Sequence, residues 1–384
     1  MKQKTKFKQT EIGMIPEDWE EKKLGDSIEL KYGKGLPKSQ RKKGKILVYG
    51  SNGIIGSHNE FFVNFPSIII GRKGSVGEVL FSDKPCWPID TTYFITQNES
   101  KLNLIFLYYK LLTLKLNRMN SHAAVPGLNR EDIYRLKTNI PRSLPEQSAI
   151  AHILSTLDEK IELLQKQNKT LEEIGQAIFK KWFIDNPEKE GWEVSTIGKE
   201  LKTILGGTPS RIKSEYWNGN INWINSGKVN EFRIIEPSEK ITEEGLKKSA
   251  TSLLPKGTVV LAITGATLGQ VSKLEIDSCA NQSVVGVLEN EKLSSPYIYY
   301  WIKNRIYDII GRQTGGAQQH INKGNIDAYS LLIPDKKTLK EFNKVIEPTF
   351  SKISNNCFNI QTLSQIRDSL LPKLMSGKIR VPVE

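Results

Sequence analysis

An internal repeat constrains the fold of this chain more than any other feature. Gly191-Trp192-Glu193 repeats Asp18-Trp19-Glu20 at an offset of 173 residues, and Ile333-Pro334 repeats Ile140-Pro141 at an offset of 193. The second copy is longer by about twenty residues, which we expect to lie in loops, where insertions are tolerated. Each copy ends in a long segment with apolar residues at helical spacing. The chain should therefore contain two similar domains that alternate with two long helices.

The charge of the chain favours a polyanionic partner. Lys and Arg number 55 against 42 Asp and Glu, and residues 1–145 alone carry 24 basic and 14 acidic residues. Residues 31–45 contain no acidic residue, and their glycines and Pro37 predict a mobile basic loop rather than a helix face. Excess positive charge attracts DNA through counterion release. The alternative is a basic surface that serves only solubility.

Several classes of protein are not expected. The basic start lacks the apolar stretch of a secretory signal, and the apolar patch at Ile68-Ile69-Ile70 is far shorter than the ~20 residues that span a bilayer. Cys86, Cys279 and Cys357 form no CxxC pair, so neither a zinc site nor a disulfide scaffold is expected. A reducing cytoplasm is the expected compartment.

The local patterns predict an α+β fold of two mixed domains and two long helices. Runs rich in β-branched and aromatic residues predict strands at 46–49, 67–70, 92–95, 259–263 and 283–287. Leu-rich and Tyr-rich stretches predict matching helices at 103–118 and 296–310. The predicted boundaries are a first domain at 1–145, a central helix at 146–186, a second domain at 187–335, a distal helix at 336–377 and a tail at 378–384.

Both long segments carry the heptad pattern of a coiled coil. We expect them to pair with each other in antiparallel orientation and to act as a rigid spacer. Pro348 should kink the distal helix or delay its start, and Gly377 should take the left-handed cap at its end. The seam of the central segment is Ile150, Leu154, Leu157, Ile161, Leu164, Asn168, Leu171, Gly175, Ile178 and Trp182, and that of the distal segment is Ile346, Phe350, Ile353, Cys357, Ile360, Leu363, Leu370 and Leu374.

The chain resembles the specificity subunit of type I restriction–modification systems over almost its whole length. The resemblance rests on three stretches in this order, together with the repeat. They are Thr10-Glu11-Ile12-Gly13-Met14-Ile15-Pro16 followed by Asp18-Trp19 and Lys23-Leu24-Gly25-Asp26, Leu144-Pro145-Glu146-Gln147 leading into Ile153-Leu154-Ser155-Thr156-Leu157-Asp158, and Ser369-Leu370-Leu371-Pro372-Lys373-Leu374 with Ser376-Gly377.

The resemblance implies a DNA-recognition subunit that catalyses nothing by itself. Each domain would read one half of a bipartite site in double-stranded DNA, and the helices would set the unread spacer. Two methyltransferase subunits and motor-nuclease subunits would be the partners. This chain would bind no cofactor, whereas its partners would use S-adenosylmethionine, ATP and Mg²⁺. The alternatives are a subunit of a methyltransferase-only or another bipartite restriction system, or a helical scaffold without a DNA role.

Catalytic motifs are not evident in the residues. The closest approach to the (N/D)PP(Y/F) motif of an adenine methyltransferase is Asp185-Asn186-Pro187-Glu188, where Glu188 breaks the pattern and a helix-ending turn is predicted. Asp158-Glu159-Lys160 has nuclease lettering but is predicted to be solvated helix surface. The glycines at 71, 74 and 77 lack the Gly-Lys-Ser/Thr ending of a phosphate-binding loop.

Two pairs of equivalent loops are the predicted DNA contacts. The glycine loop at 71–79 aligns with 263–271 at an offset of 192, and the loop at 121–130 aligns with 314–323 at 193. Basic side chains suit guanine or phosphate, while Thr and Gln suit adenine or neutral contacts. Asn129 and Asn322 are predicted to cap the following helices instead. The candidates are Lys34, Lys38, Arg41, Lys42, Lys43, Arg72, Lys73, Ser75, His122 and Arg130 in the first copy, and Arg211, Thr264, Thr267, Gln270, Gln318, Gln319, His320 and Lys323 in the second.

Overall fold

The computed structural model describes residues 6–119, 127–311 and 321–382 and confirms the predicted α+β class. Contacts divide the chain into a first unit, residues 1–161 with 362–384, and a second unit, residues 162–361. No helix in the described ranges is long and apolar enough to cross a membrane. The helices are α1 (Leu104–Thr113), α2 (Arg130–Arg135), α3 (Leu144–Phe179), α4 (Ile197–Glu200), α5 (Glu243–Lys247), α6 (Ser295–Gly311), α7 (Lys323–Asp327) and α8 (Lys336–Met375).

The first unit is built around a four-stranded antiparallel sheet in the order β4-β10-β7-β8, accompanied by a three-stranded sheet in the order β6-β5-β9. Its strand β7 is buried along its whole length. The strands are β1 (Phe7–Thr10), β2 (Gly13–Pro16), β3 (Trp19–Lys23), β4 (Lys31–Tyr32), β5 (Ile46–Gly50), β6 (Gly53–His58), β7 (Ser67–Gly71), β8 (Val79–Ser82), β9 (Cys86–Pro88), β10 (Thr92–Thr96) and β11 (Lys137–Pro141).

The second unit repeats both sheets, with orders β13-β19-β16-β17 and β15-β14-β18. Its helix α6 extends over the range predicted, whereas α1 of the first unit ends at Thr113, before Lys115 takes a positive φ of 52°. The strands are β12 (Glu193–Thr196), β13 (Thr203–Leu205), β14 (Trp217–Ile224), β15 (Glu239–Ile241), β16 (Val259–Ala262), β17 (Val271–Lys273), β18 (Cys279–Ala280), β19 (Val284–Val287) and β20 (Ser330–Ile333).

Most of the extra length of the second copy lies in one segment. Val48 and Trp223 hold equivalent places in the parallel pairs β5–β9 and β14–β18, at an offset of 175. Ile68 and Val259 hold equivalent places in the central sheets, at an offset of 191. The inserted residues therefore lie between β14 and β16, in the segment that contains the fully buried side chain of Arg233.

The long helices α3 and α8 pair in antiparallel orientation within each unit, as predicted. In the first unit, Asp158 Oδ1 of α3 lies 2.6 Å from Arg367 Nη1 of α8. In the second unit, the Asn168 side chain accepts a hydrogen bond of 2.9 Å from Asn356 Nδ2. A buried asparagine pair in an apolar seam penalises every register that separates the two amides.

As far as Asn168 the heptad seam of α3 is confirmed except at Leu157, which is half-buried. Beyond Asn168, the buried positions are Glu172, Gly175, Phe179 and Phe183, while Leu171, Ile178 and Trp182 are half-buried. From Asn168 to Phe183 the steps between buried positions are four, three, four and four residues, so two additional steps of four break the strict alternation of a heptad seam. Phe183 lies in a π-helical turn at Lys180–Ile184 that follows α3.

The expected delay of the helix start at Pro348 was wrong, because α8 begins at Lys336 and continues through the proline. Leu339 and Phe342, which precede Pro348, are buried in the core of the second unit, and this apolar contact favours the early start. At the other end, Gly377 has a φ of +71°, which confirms the left-handed cap.

The two stretches that were compared with catalytic motifs, residues 185–188 and 158–160, have structural roles. Asn186 caps the short 3₁₀-helix that follows it, which confirms the helix-ending turn. Glu159 and Lys160 are exposed, as predicted, but Asp158 is not simply solvated. Its carboxylate also accepts a hydrogen bond of 2.5 Å from Tyr109 of α1, so it attaches that helix to α3. The three cysteines are unpaired and buried.

Candidate nucleic-acid interface

The glycine loop of the first unit joins β7 to β8 and requires its glycines. Gly74 and Gly77 both have a φ of +79°, a conformation that side chains with a Cβ rarely adopt. A Cβ at Gly77 would lie 2.3 Å from the backbone nitrogen of Asn117. The loop therefore has a fixed tight shape, with Lys73 exposed and Ser75 half-buried.

The two loops predicted from the first copy meet in space. The Leu128 amide donates to the Arg72 carbonyl at 2.9 Å, and Lys73 forms an isolated antiparallel bridge with Gly127. Asn129 caps α2 by accepting from the amide of Glu131, as predicted. Residues 71–77 and 127–130 thus form one continuous surface at the end of the central sheet.

Two arginines lie against tyrosine rings on this surface. We call Tyr32, Arg72, Tyr93 and Arg130 the Tyr32 cluster. The guanidinium carbons of Arg72 and Arg130 lie 5.2 Å and 5.6 Å from the Tyr32 ring centre, and Arg72 also lies 5.8 Å from the Tyr93 ring. These distances are within the range of cation–π attraction, which holds the planar groups in place.

Hydrogen bonds fix the Tyr32 cluster further. Tyr93 Oη donates to the Leu128 carbonyl at 3.0 Å, and burial together with the neighbouring Tyr32 raises the pKa of Tyr93 to about 12, so it remains a donor at neutral pH. Arg72 Nη2 donates to the Asp90 carbonyl at 2.8 Å, while Arg72 Nε is buried without a partner in the described chain. Two guanidinium groups held this way suit guanine edges or phosphates.

The basic segment at 31–45 is irregular, as predicted, but the interpretation as a mobile loop was wrong because several contacts anchor it. Leu36 is buried, and the indole of Trp87 donates to the Lys34 carbonyl at 2.8 Å. Arg41 donates to the carbonyl oxygens of Leu36 at 3.3 Å and Ile55 at 2.8 Å. Arg41 therefore holds the segment together and is less available to DNA than predicted.

The four lysines of this segment that were predicted to contact DNA divide into two groups. Lys34 lies over aromatic rings, with its Nζ 5.8 Å from the Trp87 ring and 5.9 Å from the Phe62 ring. Lys38, Lys42 and Lys43 are exposed and form no ion pair within the described residues. The latter three are the free positive charges that a phosphate backbone could approach.

The glycine loop of the second unit is one residue longer than that of the first. Eight residues separate the paired Ile70 and Val79, whereas nine separate the paired Leu261 and Val271. The offset of 192 predicted across the whole loop was therefore wrong for its first half, because the extra residue lies between the positive-φ residues Gly265 and Gly269.

Backbone hydrogen bonds establish the corrected equivalence at the start of this loop. The Arg72 amide donates to the Thr91 carbonyl, and its carbonyl accepts from the Leu128 amide; Ile263 makes the same two bonds with Ser283 and Ile321. Arg72 is therefore equivalent to the buried Ile263 and not to Thr264.

The neutral candidates of the second loop are partly accessible. Gln270 is exposed and forms no side-chain hydrogen bond within the described chain, while Thr264 and Thr267 are half-buried. Thr267 Oγ1 reaches the Thr264 carbonyl at 3.5 Å. Amide and hydroxyl groups at this tip can hydrogen-bond to base edges without carrying charge.

The two basic candidates of the second unit are paired, which the sequence did not indicate. Lys323 Nζ lies 2.6 Å from Asp327 of the same short helix. Arg211 binds Glu239 through both terminal nitrogens, at 2.5 and 2.9 Å, and holds the pKa of that carboxyl below its usual range. The Arg211 guanidinium also lies 3.6 Å from the Trp217 ring centre. Both candidate DNA contacts therefore already have an acidic partner within the described chain.

Some predicted residues lie outside the described ranges, and some structural participants were missed. Four candidate DNA contacts lie outside the described residues, namely His122, Gln318, Gln319 and His320. Asn322, which follows them, forms a capping box with Asn325, as its predicted capping role required. Tyr32, Tyr93 and Trp217 were missed. The aromatic residues beside Lys and Arg in 31–34 and 211–217 were an available signal for Tyr32 and Trp217 but not for Tyr93.

Comparison with known proteins agrees with this arrangement of two similar domains. The model of the type I restriction modification DNA specificity domain matches residues 16–173 and again 189–369. The chain belongs to this family of specificity subunits.

The family assignment agrees with whole-length similarity. The chain is 26% identical to the specificity subunit of the type I restriction enzyme MjaIX from Methanocaldococcus jannaschii, covering 98% of this chain and 97% of the relative. It is 22% identical to the HindI specificity subunit from Haemophilus influenzae, covering 80% and 85%. The crystal structure of a type I S subunit from M. genitalium has the same fold, with a TM-score of 0.68 at 19% identity over 97% of this chain and 99% of that one.

The three stretches that resemble specificity subunits meet in the first unit. Trp19 Nε1 donates to Glu146 Oε2 at 3.2 Å, and Arg380 binds both Glu146 and Asp18, at 2.9 and 2.6 Å. A Cβ at Gly377 would lie 2.3 Å from Pro16 Cγ. These contacts therefore join residues 16–19, the start of α3 and the end of α8.

Proposed function

We propose that this specificity subunit reads a bipartite DNA target, with one half recognised by each repeated domain. The observation that carries the proposal is the contrast at equivalent loop positions. The first unit places the two arginines of the Tyr32 cluster at the end of its sheet, while the second places Ile263 and the paired Lys323 there. Two domains that share a fold but present different side chains at equivalent loop positions suit two half-sites of different sequence.

The chain itself has the role of recognition and not of catalysis in this proposal. Methyltransferase subunits dock on the long helices and the domains, and motor-nuclease subunits join the complete complex in the cytoplasm. These partners supply S-adenosylmethionine, ATP and Mg²⁺, and this chain binds none of them. The purified chain alone should neither methylate nor cut DNA, which a methyl-transfer assay on contaminant-free protein checks.

Mapping of modified bases tests the recognition. Genomic DNA from cells that carry this chain with its methyltransferase should show one motif of two short specific halves around a spacer of fixed length. Exchange of the first domain for that of another specificity subunit should change one half only. A contiguous motif, or a change in both halves, would contradict the proposal. Binding that does not weaken as salt rises would favour a protein scaffold.

Helix length tests the source of the spacer. One heptad inserted into each long helix, between the contacts Asp158–Arg367 and Asn168–Asn356, keeps the seam in register. Seven helical residues add about 10 Å, and DNA rises about 3.4 Å per base pair. The preferred spacer should therefore lengthen by about three base pairs with unchanged half-sites. An active variant with the original spacer would show that the helices do not set this distance.

A further inference from the structure

A turn in the second unit presents one isolated apolar side chain. Ile212 is 95% exposed, more than any other large hydrophobic residue of the described chain. It lies between Arg211 and Lys213 in the turn that precedes β14. A single exposed isoleucine is common on protein surfaces, so the surroundings of the turn decide whether this one has a role.

The turn is held in place on both sides of Ile212. The Ser210 carbonyl accepts hydrogen bonds from the Lys213 amide at 3.3 Å and from the Trp217 indole at 3.2 Å. Arg211 is fixed between Glu239 and Trp217 by the contacts described above. Because the backbone and its flanking residues are already ordered, a contact made by the tip costs little additional entropy.

The two cations beside Ile212 are directed to the protein. Glu239 neutralises Arg211, and Lys213 Nζ donates to Tyr216 Oη at 3.0 Å. Of these three consecutive residues, Ile212 alone has a side chain without a partner in the described structure. A neutral apolar tip does not suit a phosphate. It suits the apolar group that DNA exposes in the major groove, which is the 5-methyl group of thymine.

We propose that Ile212 is a specificity-determining residue that packs on a thymine methyl group in the half-site read by the second domain. This inference rests on the proposed function. The branched side chain of isoleucine is stiff about its first torsion, so the contact is selective in position. The first unit has no such apolar side chain at the equivalent position. Gly33 and Gly206 pack on equivalent backbone segments, which sets the offset between the two copies here at 173 residues. At this offset the residue equivalent to Ile212 is Ser39.

The test removes the methyl group from DNA and the side chain from the protein. Once the target has been mapped, each thymine of both half-sites and both strands is replaced by deoxyuridine, one at a time. Binding to the complete methyltransferase complex is then measured by competition. One replacement in the second half-site should weaken binding about fourfold, the value of one buried methyl group. Ile212→Ala should bind thymine and uracil equally at that position and keep all other preferences.

Two matched variants control for general effects. Ser39→Ala changes the equivalent turn of the first unit, and Val194→Ala removes an exposed aliphatic side chain elsewhere in the second unit. Both should retain the thymine preference. A second half-site without thymine, no effect of uracil there, or an unchanged preference in Ile212→Ala would each overturn the inference. A bipartite motif would remain in all three cases, so only its absence counts against the proposed function.

Discussion

The two units place different chemistry on the same backbone plan. In the first, Tyr32 and Tyr93 lie beside each other on β4 and β10 and support two guanidinium groups. In the second, Leu205 and Val285 pair at the same places on β13 and β19, and they support no cation. The sheet fixes where a loop begins and ends, while the side chains at its edge decide what the loop presents. A change of specificity therefore does not require a change of fold.

The units also differ in how they hold the long helices. In the second, the buried Arg233 lies 3.3 Å from Glu172 of α3, whose carboxylate also accepts from Tyr299 and Lys303. Burial opposes the charge, but Arg233 and Lys303 keep the pKa of Glu172 below its usual range. In the first, Asp158 and Arg367 make a pair that is about one-third exposed. The segment inserted in the second copy thus provides an ion pair in which both side chains are buried, whereas in the first unit's described pairs Arg367–Asp158 and Arg380–Glu146 the arginine is about 30% exposed.

The largest expected effect comes from breaking the buried pair. Arg233→Ala should lower the free energy of unfolding of the second unit by about 3–5 kcal/mol, because it leaves a buried carboxylate with fewer partners. Arg367→Ala in the first unit should cost about 1 kcal/mol or less. Urea unfolding followed by hydrogen exchange resolves the two units. Equal losses in both variants would show that burial does not distinguish the two contacts.

Removal of one arginine from the Tyr32 cluster is the next largest change. Arg72→Ala or Arg130→Ala should weaken recognition of one half-site by about 1–3 kcal/mol, the range of one specific base contact. Lys323→Ala, at the position equivalent to Arg130, should have a smaller effect because Asp327 already pairs with that lysine. Competition binding with single-base variants of the mapped target measures both. Equal relaxation of both half-sites would contradict separate reading.

Lys110 of α1 and Trp301 of α6 hold equivalent positions, because each follows a Tyr-Tyr pair at an offset of 191, and they should respond differently to pH. Lys110 is buried and donates to Asn139 Oδ1 at 2.7 Å and to the Met375 carbonyl at 2.8 Å, and burial lowers its pKa to about 7. Between that value and the ordinary value of 10.5, the unfolded chain keeps a proton that the folded chain has lost. Stability should therefore rise with pH across this window, by up to about 1.4 kcal/mol per pH unit.

Lys110→Met isolates this contribution. Its unfolding free energy should rise less between pH 7 and 9 than that of the unmodified chain, since methionine cannot titrate. Trp301→Phe, which removes the 3.2 Å indole bond to the Ser330 carbonyl, should leave the pH dependence unchanged. Parallel pH profiles for the Lys110→Met and unmodified chains would contradict the buried, low-pKa lysine.

The smallest expected effects concern the free lysines of the basic segment. Lys38→Ala, Lys42→Ala and Lys43→Ala should each reduce the slope of log binding constant against log salt by about one unit if that lysine contacts a phosphate. Arg211→Ala should leave this slope unchanged, because Glu239 already neutralises the arginine. DNA titrations at several salt concentrations measure the slopes. A loss of slope in Arg211→Ala would show that DNA displaces Glu239.

The sequence was sufficient for features that repeat or follow local rules. The repeat indicated two similar domains, the heptads indicated paired helices, and the caps formed by Asn129, Asn322 and Gly377 follow from side-chain chemistry within a few residues. The predictions failed where tertiary contacts decide. Burial of Leu339 and Phe342 starts α8 before Pro348, and the change of period in α3 follows the packing of Phe179 and Phe183.

The candidate site was less predictable because its partners come from distant strands. The sequence does not reveal the partner of Arg211, because Glu239 is 28 residues away and only the fold brings it to the arginine. An exchange of tryptophans shows the same point. Trp87 of β9 donates to the Lys34 carbonyl, whereas Trp223 of β14 donates to the equivalent Gly207 carbonyl from a strand that matches β5 instead. Both units therefore contain this hydrogen bond, although Trp87 and Trp223 do not hold equivalent positions in the repeat.

The path of the chain through the first unit has a consequence for its synthesis. The second unit is one continuous segment, residues 162–361, but the first needs residues 362–384 to be complete. Lys110 donates to the Met375 carbonyl at the end of α8, and Trp19 packs beside Gly377. Neither contact can form until α8 and Gly377 have been made. During translation, residues 1–161 must therefore wait until residues 362–384 have been made. Closure over so long a separation in sequence is slow, so the nascent first domain depends longest on protection from aggregation.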